Sequence, residues 1–323
     1  VPSLHLCASR WYEQHKFMDE AIEHALAAKD FDRAVDLIDV QADTLWQHGE
    51  HRKLPRLLNS VPDELIFSKP RLCVFHAWYS FISGQQEITK QCIQAAEQAL
   101  DIHSDHLTEA GSQEQDKPFV LKNRLLLGRI AAIRAFMDSF QGDTNGLIRH
   151  AHQALEYLPE QERIWRSITA LTLGDIYGFK GDLVASYDAR FEAYRSFKTA
   201  DDTYYTMLAS SKLAITLRAQ GRLQQIIDLC EEQILAASKF GHTLSPMKGF
   251  FLVLMGEALA EQNDLDKALD LANQGINLTK HSGNLVFVGW GYISLMRILF
   301  SRRELAAVEE LIQKMENMAQ ESN

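Results

Sequence analysis

Apolar residues recur at helical spacing along almost the whole chain. Leu223, Ile226, Cys230 and Ile234 give the clearest case, because they stand at positions i, i+3, i+7 and i+11. Strand-like alternation is nearly absent, and only seven prolines interrupt the 323 residues. The pattern predicts an all-α protein whose helices follow one another through short turns.

The turns recur with a period of about 40 residues, which corresponds to two helices and two turns. The predicted turn residues are Gly84, Gly142, Gly181, Gly221, Asn263 and Arg303. Gly and Asn suit a left-handed exit from a helix, and small residues stand seven positions before most of these turns. The spacing predicts an α-α superhelix, which is a helical-repeat solenoid, and the small residues at fixed offsets resemble those of the tetratricopeptide repeat. HEAT and armadillo repeats fit the period better than the shorter tetratricopeptide repeat does, and a helical bundle with accidental spacing is the weaker alternative.

Two regions depart from the period. Shorter helical segments fill the first 62 residues, so we divide the chain into a helical segment at 1–62 and a repeat domain at 63–323. Gly84 and Gly142 are separated by 58 residues, and the excess falls in a polar stretch. This stretch predicts a surface loop at 101–118.

Composition restricts the function classes. The 33 Lys and Arg residues against 43 Asp and Glu give a net charge of −10, which argues against nucleic-acid binding by this stretch. No apolar run approaches the roughly 20 residues of a membrane helix. The four cysteines lie far apart inside apolar patterns, which favours buried thiols and a cytoplasmic location. The chain starts at Val1 without a secretory signal, and we expect it to be a fragment of a longer protein.

A family resemblance adds to this picture. Residues 4–38 (LHLCASRWYEQHKFMDEAIEHALAAKDFDRAVDLI) and 45–78 look like the segment after the ATPase module in large ATP-dependent LuxR-family transcriptional activators of the MalT type. The stretches AHQALEYLP and TALTLGDIYGFKGDL resemble the same family's superhelical sensor domain. The resemblance covers essentially the whole chain.

The resemblance implies a domain that binds a small-molecule inducer and signals to ATPase and helix-turn-helix DNA-binding domains of the same chain. Neither a P-loop motif nor a recognition helix occurs in this sequence, so ATP is expected only in the ATPase module and no cofactor is expected here. Self-association and the identity of the inducer are left open.

One stripe of residues nominates a binding site. Positions 13, 10, 6 and 3 before each turn share a helical face, which lines the concave surface in repeats of this kind. Aromatic and charged residues mix on that face, as in a ligand groove, although buried aromatics beside solvated charges would give the same pattern. The ligand-binding candidates are Trp78, Phe136, Asp175, Arg218, Phe250, Glu257, Trp290 and Arg297.

Catalytic and metal sites are not predicted. No nucleophile stands beside a base in a recognisable motif, and no carboxylate pair has a context that would shift its pKa. Three histidine pairs lack the further ligands of a metal site: His48 and His51, His103 and His106, His150 and His152. The sequence therefore favours an inducer-binding sensor over its alternative, a protein- or peptide-binding repeat scaffold, and an enzyme comes third.

Overall fold

The described part of the chain is helical. A computed structural model describes residues 2–48, 50, 53–109, 117–239, 244–280 and 285–321, and these residues contain no strand. They belong to two units, unit 1 (Val1–Thr169) and unit 2 (Ala170–Asn323). The predicted all-α helical-repeat class is confirmed. The predicted domain division at residue 62 stays a prediction.

Unit 1 opens with five helices of 5 to 17 residues. They are α1 (Pro2–Gln14), α2 (Met18–Ala27), α3 (Phe31–Gln47), α4 (Lys53–Leu58) and α5 (Asp63–Phe67). Two helix pairs follow, α6 (Pro70–Ile82) with α7 (Gln86–Glu109), and α8 (Lys117–Gln141) with α9 (Thr144–Tyr157). The tenth helix, α10 (Arg163–Phe179), begins in unit 1 and ends in unit 2.

Unit 2 continues with helices of similar length. They are α11 (Leu183–Thr199), α12 (Thr203–Ala219), α13 (Leu223–Ser238), α14 (Ser245–Glu261), α15 (Leu265–Thr279), α16 (Leu285–Ser301) and α17 (Leu305–Glu321). Each helix from α11 to α16 contacts the next one along the chain, and α14 also contacts α12 and α16. The first helices of three successive pairs, α12, α14 and α16, therefore lie side by side.

The predicted turn residues join the two helices of each pair, and all six have left-handed backbone. Their φ angles are 80° at Gly84, 74° at Gly142, 80° at Gly181, 70° at Gly221, 66° at Asn263 and 62° at Arg303. Glycine adopts this conformation without a steric penalty, whereas asparagine and arginine pay a modest one. Each of these turns thus sets the residue at which a first helix ends.

Aspartates begin several of the helices. Asp30, Asp143, Asp182 and Asp202 each accept a hydrogen bond from the backbone N–H three residues further on, which satisfies one of the free donors at a helix start. Asp264 also occupies an N-cap position, but its side chain makes no such bond and lies 2.9 Å from Lys267 Nζ instead.

The predicted loop at 101–118 needs correction at both of its ends. Residues 110–116 lie outside the described residues, but α7 extends to Glu109 and α8 begins at Lys117. The prediction was wrong for 101–109, where acidic and other polar residues continue a helix without an apolar stripe, and for 117–118, which begin α8. The burial predicted for all four cysteines was wrong for Cys7, which is exposed, while Cys73, Cys92 and Cys230 are buried. In the residues that the structure describes, no helix has both the length and the apolar character that spanning a bilayer requires.

Candidate functional site

The predicted ligand-facing stripe lies on the first helix of each pair. In unit 2 these helices are the end of α10, then α12, α14 and α16. We name the side-chain face that connects them the first-helix wall. It consists of Asp175, Lys212, Arg218, Phe250, Glu257, Phe287, Trp290, Ser294 and Arg297. Two charged clusters and one aromatic cluster make up this wall.

The first charged cluster surrounds Asp175, whose side chain is buried. Its carboxylate accepts hydrogen bonds from Arg190 on α11 and from Lys212 Nζ on α12, the latter at 2.5 Å. Burial lowers the pKa of Lys212, the Asp175 carboxylate opposes that shift, and Arg190 adds to it. The cluster therefore places two cationic side chains against one carboxylate in a buried environment.

A glycine makes room for this cluster. A Cβ atom at Gly174 would lie 2.6 Å from Arg190 Cγ, so a larger residue would displace the arginine. Arg190 Nη1 donates to the carbonyl oxygen of Lys212 at 2.8 Å and to Thr216 Oγ1. Asp175 is thus held by neighbouring helices, and its buried position gives it a packing role in this structure.

The second charged cluster surrounds Glu257 on α14. Ser294 Oγ on α16 donates to Glu257 Oε1 at 2.5 Å. Arg218 Nε on α12 lies 3.5 Å from Glu257 Oε2, and Arg297 Nη1 on α16 lies 3.8 Å from Oε1. Glu257 is 6% exposed, whereas the Arg297 side chain is 57% exposed. One buried carboxylate therefore holds two guanidinium groups near the surface.

The two carboxylates share a register. Asp175 and Glu257 both stand six residues before a turn residue, and each contacts a residue 37 positions later, nine before the next turn. Sequence reasoning selected both carboxylates but missed the partners Lys212 and Ser294. The repeat period could have found them, because the residue nine positions before one turn faces the residue six positions before the preceding turn.

The aromatic cluster lies one or two turns towards the N-terminal ends of α14 and α16. Phe250 stacks on Phe287 with ring centroids 4.6 Å apart, and it meets Trp290 edge-on at 6.0 Å. The Trp290 Nε1 atom is buried and makes no hydrogen bond among the described residues. Since Phe250 and Glu257 are seven residues apart, as are Trp290 and Arg297, rings and charges occupy one face.

Trp78 and Phe136 belong to unit 1 and have a different environment. Their side chains are 0% and 2% exposed, and their rings meet at 5.2 Å. Trp78 also meets Trp165, which stacks on Trp46 at 4.7 Å. The expectation that these two residues line an open groove needs correction, because the rings of four helices enclose them in the core.

Another stripe residue of unit 1, Arg129, is also buried. It donates to Asp43 at 2.6 Å and to both carboxylate oxygens of Glu162 at 3.1 Å. Here one cation contacts two carboxylates, whereas each charged cluster of unit 2 has two cations and one carboxylate. The predicted stripe is therefore a packing surface in unit 1.

The histidine pairs add no metal site among the described residues, where no group of three or more His, Cys, Asp or Glu could hold an ion. His150 Nδ1 instead pairs with Asp138 Oδ2 at 2.7 Å. His51 and the side chains of His103 and His106 lie outside the described part of the chain.

Known proteins resemble this chain over most of its length. The HTH-type transcriptional regulator MalT of Serratia proteamaculans (strain 568) is 25% identical over 278 residues, which is 86% of this chain and 29% of that protein. The regulator of the same name from Yersinia pestis (strain Pestoides F) is 24% identical over the same length. The chain therefore spans less than a third of these relatives.

A solved structure has the same fold. The signal transduction ATPase with numerous domains from Pyrococcus horikoshii, which carries a tetratricopeptide repeat sensor, superposes with a TM-score of 0.59. The superposition covers 99% of this chain and 46% of that one, at 11% identity. At this identity the likeness shows the fold alone.

A family model described as the MalT-like TPR region matches residues 128–323. The match covers more than half of the chain and includes every residue of the first-helix wall. It confirms the resemblance that the sequence motifs indicate. The chain therefore belongs to the MalT-like tetratricopeptide-repeat family.

Proposed function

We propose that this chain is the sensor region of a transcriptional regulator and that it binds a small organic effector on the first-helix wall of unit 2. The match to MalT transcriptional regulators over 86% of the chain is the observation that carries the proposal. The wall supports it, because it combines aromatic rings with polar groups whose hydrogen-bonding capacity is not fully used.

Effector binding on the wall would change how the helices pack. Arg218, Glu257 and Arg297 lie on three successive first helices, α12, α14 and α16. An effector that contacts all three would stabilise one packing of these helices over another. A ligand shifts such an equilibrium only by its difference in affinity for the two packings.

The same proposal assigns the partners. We place ATPase and DNA-binding modules in the same full-length regulator, with ATP held by the ATPase module and the protein working in the cytoplasm. The chain itself contributes no catalytic step, and its net charge of −10 disfavours phosphate contacts with nucleic acid.

A thermal-shift screen tests the proposal. The chain is heated with pools of small metabolites, with peptides and with buffer alone. A ligand at 100 times its dissociation constant adds about 2.7 kcal/mol to the free energy of unfolding, which raises the melting temperature by several degrees. Trp290→Ala should abolish the shift without loss of helical circular dichroism.

The matched control is Arg195→Gln on the exposed side of α11, which should keep the shift. Stabilisation by peptides only would favour the alternative, a peptide-binding repeat scaffold. A shift that survives in Trp290→Ala and in Arg297→Gln would remove the effector from this wall.

A further inference from the structure

The second charged cluster carries one more positive charge than negative. Glu257 contributes one carboxylate, whereas Arg218 and Arg297 contribute two guanidinium groups. The remaining charges of α14 are Lys248 and Glu261, and α16 has no charged residue besides Arg297. The cluster of these three side chains therefore has a net charge of about +1 in a chain whose total charge is −10.

The N–H groups of the two arginines are not used in hydrogen bonds to Glu257. At 3.5 and 3.8 Å they are attracted to Glu257 but too far away or misaligned for hydrogen bonds, and the Arg218 Nε is buried without an acceptor in the described residues. In ordinary buried ion pairs, such as Arg129 with Glu162 at 3.1 Å, the donors are used. Arginine donors left free in this way match a carboxylate, which can accept two of them at once.

An uncommitted indole donor lies on the same face. Trp290 Nε1 is buried without a hydrogen bond among the described residues, and its ring meets Phe250. Trp290 and Arg297 are seven residues apart on α16, about 10 Å along the helix axis. The wall thus presents an aromatic surface and a cationic group at a fixed separation.

We propose that the first-helix wall selects a monoanionic effector, with a carboxylate on Arg218 and Arg297 and an apolar or aromatic body against Trp290. This inference rests on the proposed function and adds the chemical class of the ligand. One carboxylate neutralises the surplus charge, and Glu257 remains buried as the anion that keeps both arginines in place. An uncharged ligand of the same shape leaves the arginine donors unpaired and binds more weakly.

Two probes of equal shape test the charge requirement. 4-Phenylbutyrate has a ring and a carboxylate joined by three methylenes, and 4-phenylbutyramide replaces the carboxylate with a neutral amide. The readout is the ¹⁵N–¹H spectrum of the five tryptophan indoles, with Trp290 assigned by its absence in Trp290→Phe. We expect the butyrate to shift the Trp290 resonance and to bind at least tenfold more tightly than the amide.

Arginine variants separate binding from folding. Arg297→Gln should weaken butyrate binding about tenfold, whereas Arg195→Gln on the exposed side of α11 should leave it unchanged. Melting temperatures of both variants within a few degrees of the parent establish that the fold persists. Equal affinity for butyrate and amide, no shift of the Trp290 resonance, or unchanged affinity in Arg297→Gln would overturn the anionic class.

The sensor proposal fails on other results. If the metabolite screen finds a neutral compound whose stabilisation depends on Trp290, the wall is a sensor site and only the anionic class is wrong. If neither the screen nor the probes produce any binding at the wall, both proposals fail.

Discussion

Two carboxylates at equivalent repeat positions are held in different ways. Asp175 makes direct bonds to both of its cationic partners, and its two oxygens are used. Among the described residues, Glu257 accepts a hydrogen bond from Ser294 alone, and its arginines lie at a longer distance. The first carboxylate is therefore a structural anchor between helices, while the second keeps cationic groups available at the surface.

Loss of the Asp175 charge should strongly destabilise unit 2. Asp175→Asn removes the negative charge that Arg190 and Lys212 share in a buried site, and breaking a buried pair in this way costs about 3–5 kcal/mol. Urea unfolding monitored by circular dichroism measures the change. The control is Glu232→Gln, which breaks the exposed pair with Lys198 and should cost about 1 kcal/mol or less. Equal losses in the two variants would contradict the anchor role of Asp175.

His76 should make unit 1 sensitive to mild acid. Burial lowers the pKa of this side chain, an effect that Asp63 at 3.6 Å from Nε2 opposes. The unfolded chain, with a histidine pKa near 6.5, then binds a proton before the folded chain does, so the free energy of unfolding falls as pH drops below 6.5. His76→Gln should reduce this loss between pH 7 and pH 5, and the exposed His152→Gln should not. Parallel pH profiles for the parent and His76→Gln would refute the assignment.

The sequence predicts some of the residues in these clusters. The stripe rule selected Glu257, Arg218 and Arg297, which the structure brings together, because their spacing follows from helix geometry alone. It missed Arg190, because that side chain comes from a second helix and enters through the space that Gly174 leaves. It also placed Trp78 in a groove, since a sequence does not show on which side of a helix the core closes.

At the scale of elements, small residues bring α14 and α15 close together. A Cβ at Gly249 would lie 2.6 Å from the Gly275 carbonyl oxygen, and one at Gly256 would lie 3.0 Å from that of Ala268. A flexible side chain can move aside for an added Cβ atom, but the backbone of a neighbouring helix cannot. The contact therefore fixes the position of α14, which carries both Phe250 and Glu257 of the wall.

Gly249→Ala should force the two helices apart and cost about 1–3 kcal/mol of stability. Gly289→Ala on α16 is the matched control, because among the described residues no atom outside its own stretch of helix lies within 4 Å of the added Cβ. Removing a glycine from a helix interior there should stabilise the chain by about 0.5–1 kcal/mol. A denaturant titration measures the free energy of unfolding of both variants. A decrease for Gly249→Ala with an increase for Gly289→Ala supports close packing at Gly249, and a stabilising Gly249→Ala would be inconsistent with it.

The sequence predicts elements better than contacts. All six turn residues have the expected left-handed backbone: the four glycines and Asn263 reveal that conformation locally, and Arg303 was placed by the period of the turns. The helix at 101–109 was missed for the opposite reason: a polar stretch that continues a helix has no apolar period to signal it. Helix pairing follows from the period, whereas the choice of side chains at each contact depends on volumes that no period encodes.

At the scale of the whole molecule, a helical repeat is stabilised mainly by contacts between neighbouring elements. Stability in such folds is close to a sum of local terms, so probes in different regions report on their own surroundings. The two units contain suitable natural probes. Cys73 and Cys92 lie in the core of unit 1, Cys230 lies in that of unit 2, and Cys7 is exposed.

Thiol labelling should therefore count one reactive cysteine in the folded chain and four after unfolding. Burial raises the pKa of Cys73 to about 12 and raises the pKa of Cys92 and Cys230 as well, which suppresses the thiolate that reacts. We expect a fast reaction at Cys7, removed by Cys7→Ser, and slow reactions elsewhere that report opening of each unit. Mass spectrometry of labelled peptides assigns the sites. Rapid labelling of Cys230 without denaturant would mean that the helices behind the first-helix wall open readily, and a wall so mobile could not hold Arg218 and Arg297 around Glu257.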